Sequence, residues 1–178
     1  YNTVQYANYS KKRLNKEQQS AVDKIINSNK KLFLIHGVTG SGKTEIYMHI
    51  VEKALEENKE SLVLVPEIVL TPQMVERFKG RFGKDISVVH SKLSEGERYD
   101  EWVRVKQGKV KVAIGARSAI FLPFENLGFI IIDEEHEGSY KSDSNPKYNV
   151  REIGEMKCSQ YGCKMILGSA TPSIETYY

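Results

Sequence analysis

Only two cysteines, Cys158 and Cys163, occur in the 178 residues. That is too few for a disulfide framework or a four-ligand zinc site, and it points to the reducing cytoplasm as the compartment. Long apolar runs are also missing. The longest, such as Leu62 to Val65 and Phe129 to Ile132, fall far short of the roughly 20 residues of a membrane-spanning helix, so no membrane partner is expected. There is no large excess of either charge: 26 Lys+Arg against 23 Asp+Glu leave +3, which fits nucleic-acid contact without arguing for it. No repeat, low-complexity tract or Pro/Gly/Ser-rich linker divides the interior. With 40% hydrophobic and 28% charged residues and a mean hydropathy of -0.45, the composition is neither disordered nor fibrous. The length suits one domain with a sizeable core. The chain opens on Tyr1 rather than Met, carries no charged-then-apolar signal segment and stops at Tyr178, so the expectation is an excised piece, monomeric, with one domain over residues 1–178.

What is present is a set of short runs rich in Val, Ile and Leu: Leu32 to Ile35, Leu62 to Val65, Ile86 to Val89, Val110 to Ile114, Phe129 to Ile132 and Met165 to Leu167. Each is the size of a strand. Between most of them lie stretches with helical spacing, including Asn15 to Ile26, Glu45 to Glu57 and the segment holding Met74, Val75 and Phe78. Strands with little polar alternation are what a sheet buried on both faces requires, and alternation with helices implies parallel neighbours. The fold class is therefore α/β, a mostly parallel central sheet with helices on both faces. In such sheets ligands bind beyond the carboxyl ends of the strands.

After the first run comes GVTGSGKT, Gly37 to Thr44, which satisfies the phosphate-loop pattern and precedes a helical stretch. The small residues let backbone N–H groups of Gly37, Thr39, Gly40, Ser41 and Gly42 turn towards a phosphate chain, and the helix start adds its positive dipole end. Lys43 would reach the β- and γ-phosphates of ATP, and the Thr44 hydroxyl would ligate Mg²⁺. After the fifth run come Asp133, Glu134, Glu135 and His136. A carboxylate directly after a buried strand is placed to hold Mg²⁺, which suits Asp133, and Glu134 can polarise the attacking water. The catalytic set is thus Lys43, Asp133 and Glu134. A lone histidine is more often a structural hydrogen-bonding group than a catalyst, so His136 is given a coupling role.

The phosphate loop, the DEEH segment and GSATPS from Gly168 together resemble the first motor lobe of a superfamily 2 helicase, a RecA-like lobe. Further stretches narrow the resemblance: GVTGSGKTEIY from Gly37, LVPEIVLTPQ from Leu64, HSKLSEGERYDEW from His90, GARSAIFLPFENLG from Gly115, IIDEEHEGSYK from Ile131 and LGSATPSIET from Leu167. Related motors share the DEEH-like and SATP-like signatures, but the TGSGKTE loop with VPEI and SYK is similar to the primosomal replication-restart helicases.

The resemblance implies ATP as ligand, Mg²⁺ as metal, and translocation on single-stranded DNA, 3′ to 5′, with unwinding of forked DNA. Primosome and single-strand-binding proteins would be partners of the full-length protein. It makes Gln18 the residue that reads the adenine. It places Pro66, Glu67 and Thr71, and separately Arg117 and Ser118, against the DNA backbone. It gives Ser169, Ala170 and Thr171 the link between nucleotide site, DNA and second lobe. From the residues alone, Thr71 before Pro72 reads equally as a helix N-cap, and Gln18 carries no signal. Residues 138–151, GSYKSDSNPKYNVR, read as a long polar loop in which Tyr140, Lys141, Lys147, Tyr148 and Arg151 interleave aromatic and basic groups, as single-strand binding uses. The loop resembles the family's aromatic-rich DNA sensor; the alternative is an exposed loop with no coupling role. The amino-terminal DNA-binding domains and the second lobe, with its arginine finger and zinc-binding cysteines, are expected to lie outside this chain. Such a finger is worth about 10³ to 10⁵ in rate, so the fragment alone is expected to be nearly inactive. A docking module for DNA or partners, in which the nucleotide site is mainly structural, is the competing function; a small-molecule kinase is disfavoured because DEEH and GSAT have no role there.

Overall fold

A computed structural model describes residues 13–36, 41–83, 86–133 and 148–169. Six parallel strands form one sheet: β1 Leu32–His36, β2 Glu60–Leu64, β3 Ile86–Val89, β4 Val112–Gly115, β5 Leu127–Asp133 and β6 Lys164–Ser169, in the spatial order β1-β6-β5-β2-β4-β3. Five α-helices occur among the described residues: α1 Lys16–Asn27, α2 Ser41–Glu56, α3 Pro72–Phe82, α4 Glu95–Lys106 and α5 Val150–Tyr161; a short 3₁₀ helix spans Arg117–Phe121. None of these helices is long and apolar enough to cross a membrane.

All six apolar runs are strands, for the reason their composition suggests. Along β2, Leu62 and Leu64 pack on one face with Val105, Ile120, Ile130 and Ile132. The alternate residue Val63, with Val65 just beyond the strand, packs on the other face with Ile46, Ile50, Phe78 and Ile131. Both faces are dry because residues one apart point to opposite sides of a strand.

Two helices appear where the sequence reading marked none, or marked a loop. α4 is polar in composition, but Ser94 Oγ accepts from the Glu97 N–H and the Glu97 carboxylate accepts from the Ser94 N–H, a capping box that starts the helix without an apolar stripe. α5 begins at Val150, with the Asn149 side chain accepting from the N–H groups of Arg151 and Glu152 at 2.9 and 3.2 Å. Arg151 is therefore a first-turn helix residue and not part of a loop. The two cysteines also depart from expectation. Cys158 and Cys163 are joined as a disulfide with Cα atoms 4.4 Å apart, so a count too small for a framework still allows one local bridge, here across Gly162 where α5 gives way to β6.

One glycine sets how closely the strands' carboxyl ends approach their neighbours. At Gly115 a Cβ would stand 2.5 Å from the Val89 carbonyl oxygen and 2.8 Å from the Ala119 Cβ. Any larger residue would push β4 away from β3 and from the turn that carries Arg117.

Candidate nucleotide site and DNA face

The carboxyl ends of β1, β6 and β5 lie side by side, with His36 in register with Ser169 and Gly168 in register with Asp133. α2 starts beside the end of β5, where Lys43 meets Asp133. Lys43 and Asp133 are both buried, at 1% and 3% exposure, and the Lys43 Nζ lies 3.2 Å from Asp133 Oδ1. A buried ammonium or carboxylate is tolerated only with its partner; losing one member of such a pair costs about 3–5 kcal/mol. Thr44, the next residue, is 8% exposed. Two residues 90 positions apart in sequence are thus brought together.

The donors present fit a magnesium nucleotide. Mg²⁺ prefers oxygen ligands and is commonly held by one or two carboxylates together with substrate phosphates, and a hydroxyl at Thr44 with a carboxylate at Asp133 offers that chemistry. Lys43 places a buried cation beside these two oxygen donors. Gly37, Thr39, Gly40, Glu134, His136, Tyr140, Lys141, Lys147, Ala170 and Thr171 lie outside the described residues, as does the side chain of Ser41, whose backbone opens α2.

Gln18 is tied to this site through its helix cap. Its Oε1 accepts from the Asn15 N–H at 2.9 Å while Asn15 Oδ1 accepts from the Gln18 N–H at 2.8 Å. Its Nε2 donates to the Gly42 carbonyl at 3.2 Å. One side chain thus starts α1 and fastens it to the last glycine of the phosphate loop, a contact that no local sequence pattern announces.

Sequence reasoning missed the charge clamp behind the site. Glu45 on α2 is 5% exposed and accepts from Arg77 Nη2 at 2.8 Å and Arg81 Nη1 at 2.9 Å, both on α3. Arg81 also reaches Glu52 at 3.1 Å, and His49 stands 3.3 Å from Glu45. Burial alone would raise the Glu45 pKa, but the hydrogen bonds and charges of Arg81 and Arg77 outweigh it and leave the carboxyl below its ordinary 4.5. The clamp links the helix of the phosphate loop to the helix that follows the Pro66–Thr71 segment.

The proposed DNA residues divide. Thr71 is the N-cap of α3, its Oγ1 accepting from the Met74 N–H at 3.2 Å, with Pro72 at the first turn. Its capping role is therefore observed. Glu67 is drawn across to the turn that follows β3, accepting from the Ser91 N–H at 3.1 Å and the Ser91 hydroxyl at 2.7 Å. Arg117 and half-buried Ser118 lie on the 3₁₀ helix just beyond β4. The Arg117 guanidinium sits 5.1 Å from the centre of the Tyr148 ring, so two predicted contacts from separate segments meet. Phe121, not singled out from sequence, packs edge-on to Tyr148 at 4.8 Å and remains 52% exposed. Arg151 stands apart from this cluster's contacts, 3.4 Å from Glu155 on its own helix. Ser169 ends β6.

The parallel sheet, the phosphate-loop lysine paired to a strand-end carboxylate and the surrounding cap define a P-loop nucleotide-binding lobe of the RecA-like kind. The DEAD/DEAH box helicase family model matches residues 15–178, and the chain belongs to that family. It is 55% identical over 168 residues to the replication restart protein PriA of Bacillus subtilis, a match covering 92% of this chain and 21% of that protein. To the Chlamydia pneumoniae protein of the same name it is 47% identical over 171 residues, 93% of this chain and 23% of that one. The chain thus spans about a fifth of the length of these relatives. Among solved structures it is similar to RecG bound to a three-way DNA junction, with a TM-score of 0.67, 25% identity, and coverage of 90% of this chain and 21% of that one. The UvsW helicase of bacteriophage T4 shares the fold at a TM-score of 0.61 and 19% identity, over 92% of this chain and 55% of that one.

Proposed function

We propose that this chain is the first motor lobe of a longer ATP-dependent DNA helicase that acts in replication restart, coupling nucleotide hydrolysis to movement along single-stranded DNA and unwinding of forks. The observation that carries the reading is the buried Lys43–Asp133 pair at the carboxyl edge of the sheet. Without a phosphate, the lysine charge is compensated by Asp133. With ATP bound, Lys43 would turn to the β- and γ-phosphates, Gln18 would meet the adenine, and Thr44 and Asp133 would hold Mg²⁺. The chemistry a Mg²⁺ held there would supply is neutralisation of developing phosphate charge. Glu134 takes the proton of the attacking water, since it follows the carboxylate that ends β5. Lys43 gains strength from its surroundings, because a charge acts more strongly away from water.

DNA lies across the loops that follow β2 and β4, where Arg117 offers a phosphate donor and Tyr148 and Phe121 offer ring surface for unstacked bases. Ser169 and Thr171, after β6, link this face to the nucleotide and, with His136, to the second lobe. That lobe, an arginine finger, a zinc site and the surfaces for primosome and single-strand-binding proteins belong to parts of the protein outside these residues. By itself the lobe is nearly inactive, and the working compartment is the cytoplasm.

Unwinding of a labelled fork by the intact protein and its Lys43→Ala variant tests the proposal. Loss of unwinding in the variant, with fork binding retained, is the expected result. Unwinding that persists refutes the motor role, and restart activity that survives the loss of unwinding favours a docking module instead.

A further inference from the structure

Tyr47 is the largest fully buried side chain among the described residues, at 0% exposure. It lies one helical turn beyond Lys43 on α2. Its hydroxyl donates to Asp133 Oδ1 at 3.2 Å, the same oxygen that Lys43 Nζ approaches at 3.2 Å. A phenylalanine would fill most of this space, and burying a hydroxyl is unfavourable unless it is hydrogen-bonded. The neighbouring strand also leaves room for that oxygen. A Cβ on Gly168 would overlap the Tyr47 hydroxyl and stand 3.0 Å from its Cζ and 3.2 Å from Asp133 Oδ1. Gly168, the register partner of Asp133, therefore keeps open the space that the phenol oxygen occupies beside the carboxylate.

Lys43 and Tyr47 differ in what nucleotide binding asks of them. The lysine has to leave Asp133 in order to serve phosphate, whereas the phenol, buried one turn further along α2, can keep its hydrogen bond to Asp133 Oδ1. We propose that Tyr47 is a positioning residue for the metal-holding carboxylate: it keeps Asp133 oriented once Lys43 has turned to the phosphates, and so sets the affinity of the site for Mg²⁺. This rests on the nucleotide reading above. Hydrogen-bond partners of metal-ligating carboxylates are typically worth about 10- to 100-fold in metal affinity or activity.

The test uses the intact protein and Tyr47→Phe, with a fluorescent ADP titrated in the absence of metal and again at increasing Mg²⁺. The expected result is nucleotide affinity unchanged without metal, a Mg²⁺ half-saturation point raised on the order of 10-fold, and turnover that recovers at saturating Mg²⁺. Gly168→Ala, which displaces the hydroxyl, should raise the Mg²⁺ requirement in the same direction. The double variant should show no further rise, because both changes remove one interaction. A Mg²⁺ half-saturation point equal to wild type overturns the proposal. So does a loss of nucleotide affinity that is the same with and without metal, the mark of a packing role. Wild-type protein that binds no fluorescent ADP overturns the nucleotide reading and the Tyr47 role together, and is distinguished by appearing before any substitution is made.

Discussion

Replacing Gly168 with Ala adds one methyl group to the most crowded point of the site. That carbon would overlap the Tyr47 hydroxyl and press on Asp133 Oδ1 at 3.2 Å, and neither neighbour can retreat freely, since Tyr47 is fully buried and Asp133 ends a central strand. Overpacking of this kind costs about 1–3 kcal/mol. Removing a glycine's unfolded-state freedom returns about 0.4–1 kcal/mol, so a net loss of about 1–2 kcal/mol is expected. At about 2–4 °C per kcal/mol for a chain of this size, thermal unfolding followed by circular dichroism should shift down by roughly 2–8 °C. Gly168→Ala combined with Tyr47→Phe should recover part of that loss, because the overlapping oxygen is gone. A Gly168→Ala protein as stable as wild type, or a double variant less stable than the sum of the two singles, would refute the packing argument.

Two other outcomes follow from geometry at other points of the lobe. The Glu45 carboxyl lies below its ordinary 4.5 in the folded protein, so its contribution to stability is fully present above that value and is lost as the pH falls through the lower folded one. Acid titration of the unfolding midpoint should therefore show a drop below pH 4.5 that is reduced in Glu45→Gln, which will be less stable at neutral pH; parallel acid profiles would argue against the clamp. Phe121→Ala removes a half-exposed ring that touches Tyr148. Base–aromatic stacking is worth about 1–3 kcal/mol, so single-strand affinity should fall roughly 5- to 100-fold, measured by fluorescence anisotropy, and unchanged affinity would place the DNA elsewhere.

How much of this was legible in the sequence depends on the reach of each signal. The six strands were readable because a strand buried on both faces leaves an unbroken apolar run, as Ile130, Ile131 and Ile132 do. The phosphate loop and the strand-end carboxylate were readable because each is a local pattern. α4 was not read, because its one local signal is the Ser94–Glu97 capping box and its exposed face carries Tyr99 and Trp102 in place of an apolar stripe turned inward. The contacts of Gln18 with Gly42, of Arg77 and Arg81 with Glu45, and of Tyr47 with Asp133 join residues 24, 32, 36 and 86 positions apart. No spacing rule reaches that far, because such pairs are set by the order of strands in the sheet. The bridge between Cys158 and Cys163 was missed for another reason. A count of cysteines limits frameworks, whereas one local pair depends only on the turn between them.

The central claim, that the edge formed by β1, β6 and β5 is a DNA-coupled ATP site, is tested most directly by ATP turnover in the intact protein and its Lys43→Ala variant. Both are measured with and without single-stranded DNA, at two salt concentrations. The account predicts turnover stimulated by DNA, lost in Lys43→Ala, with a stimulation that weakens as salt rises because phosphate contacts release counterions. Turnover that ignores DNA, or that survives loss of Lys43, would contradict it.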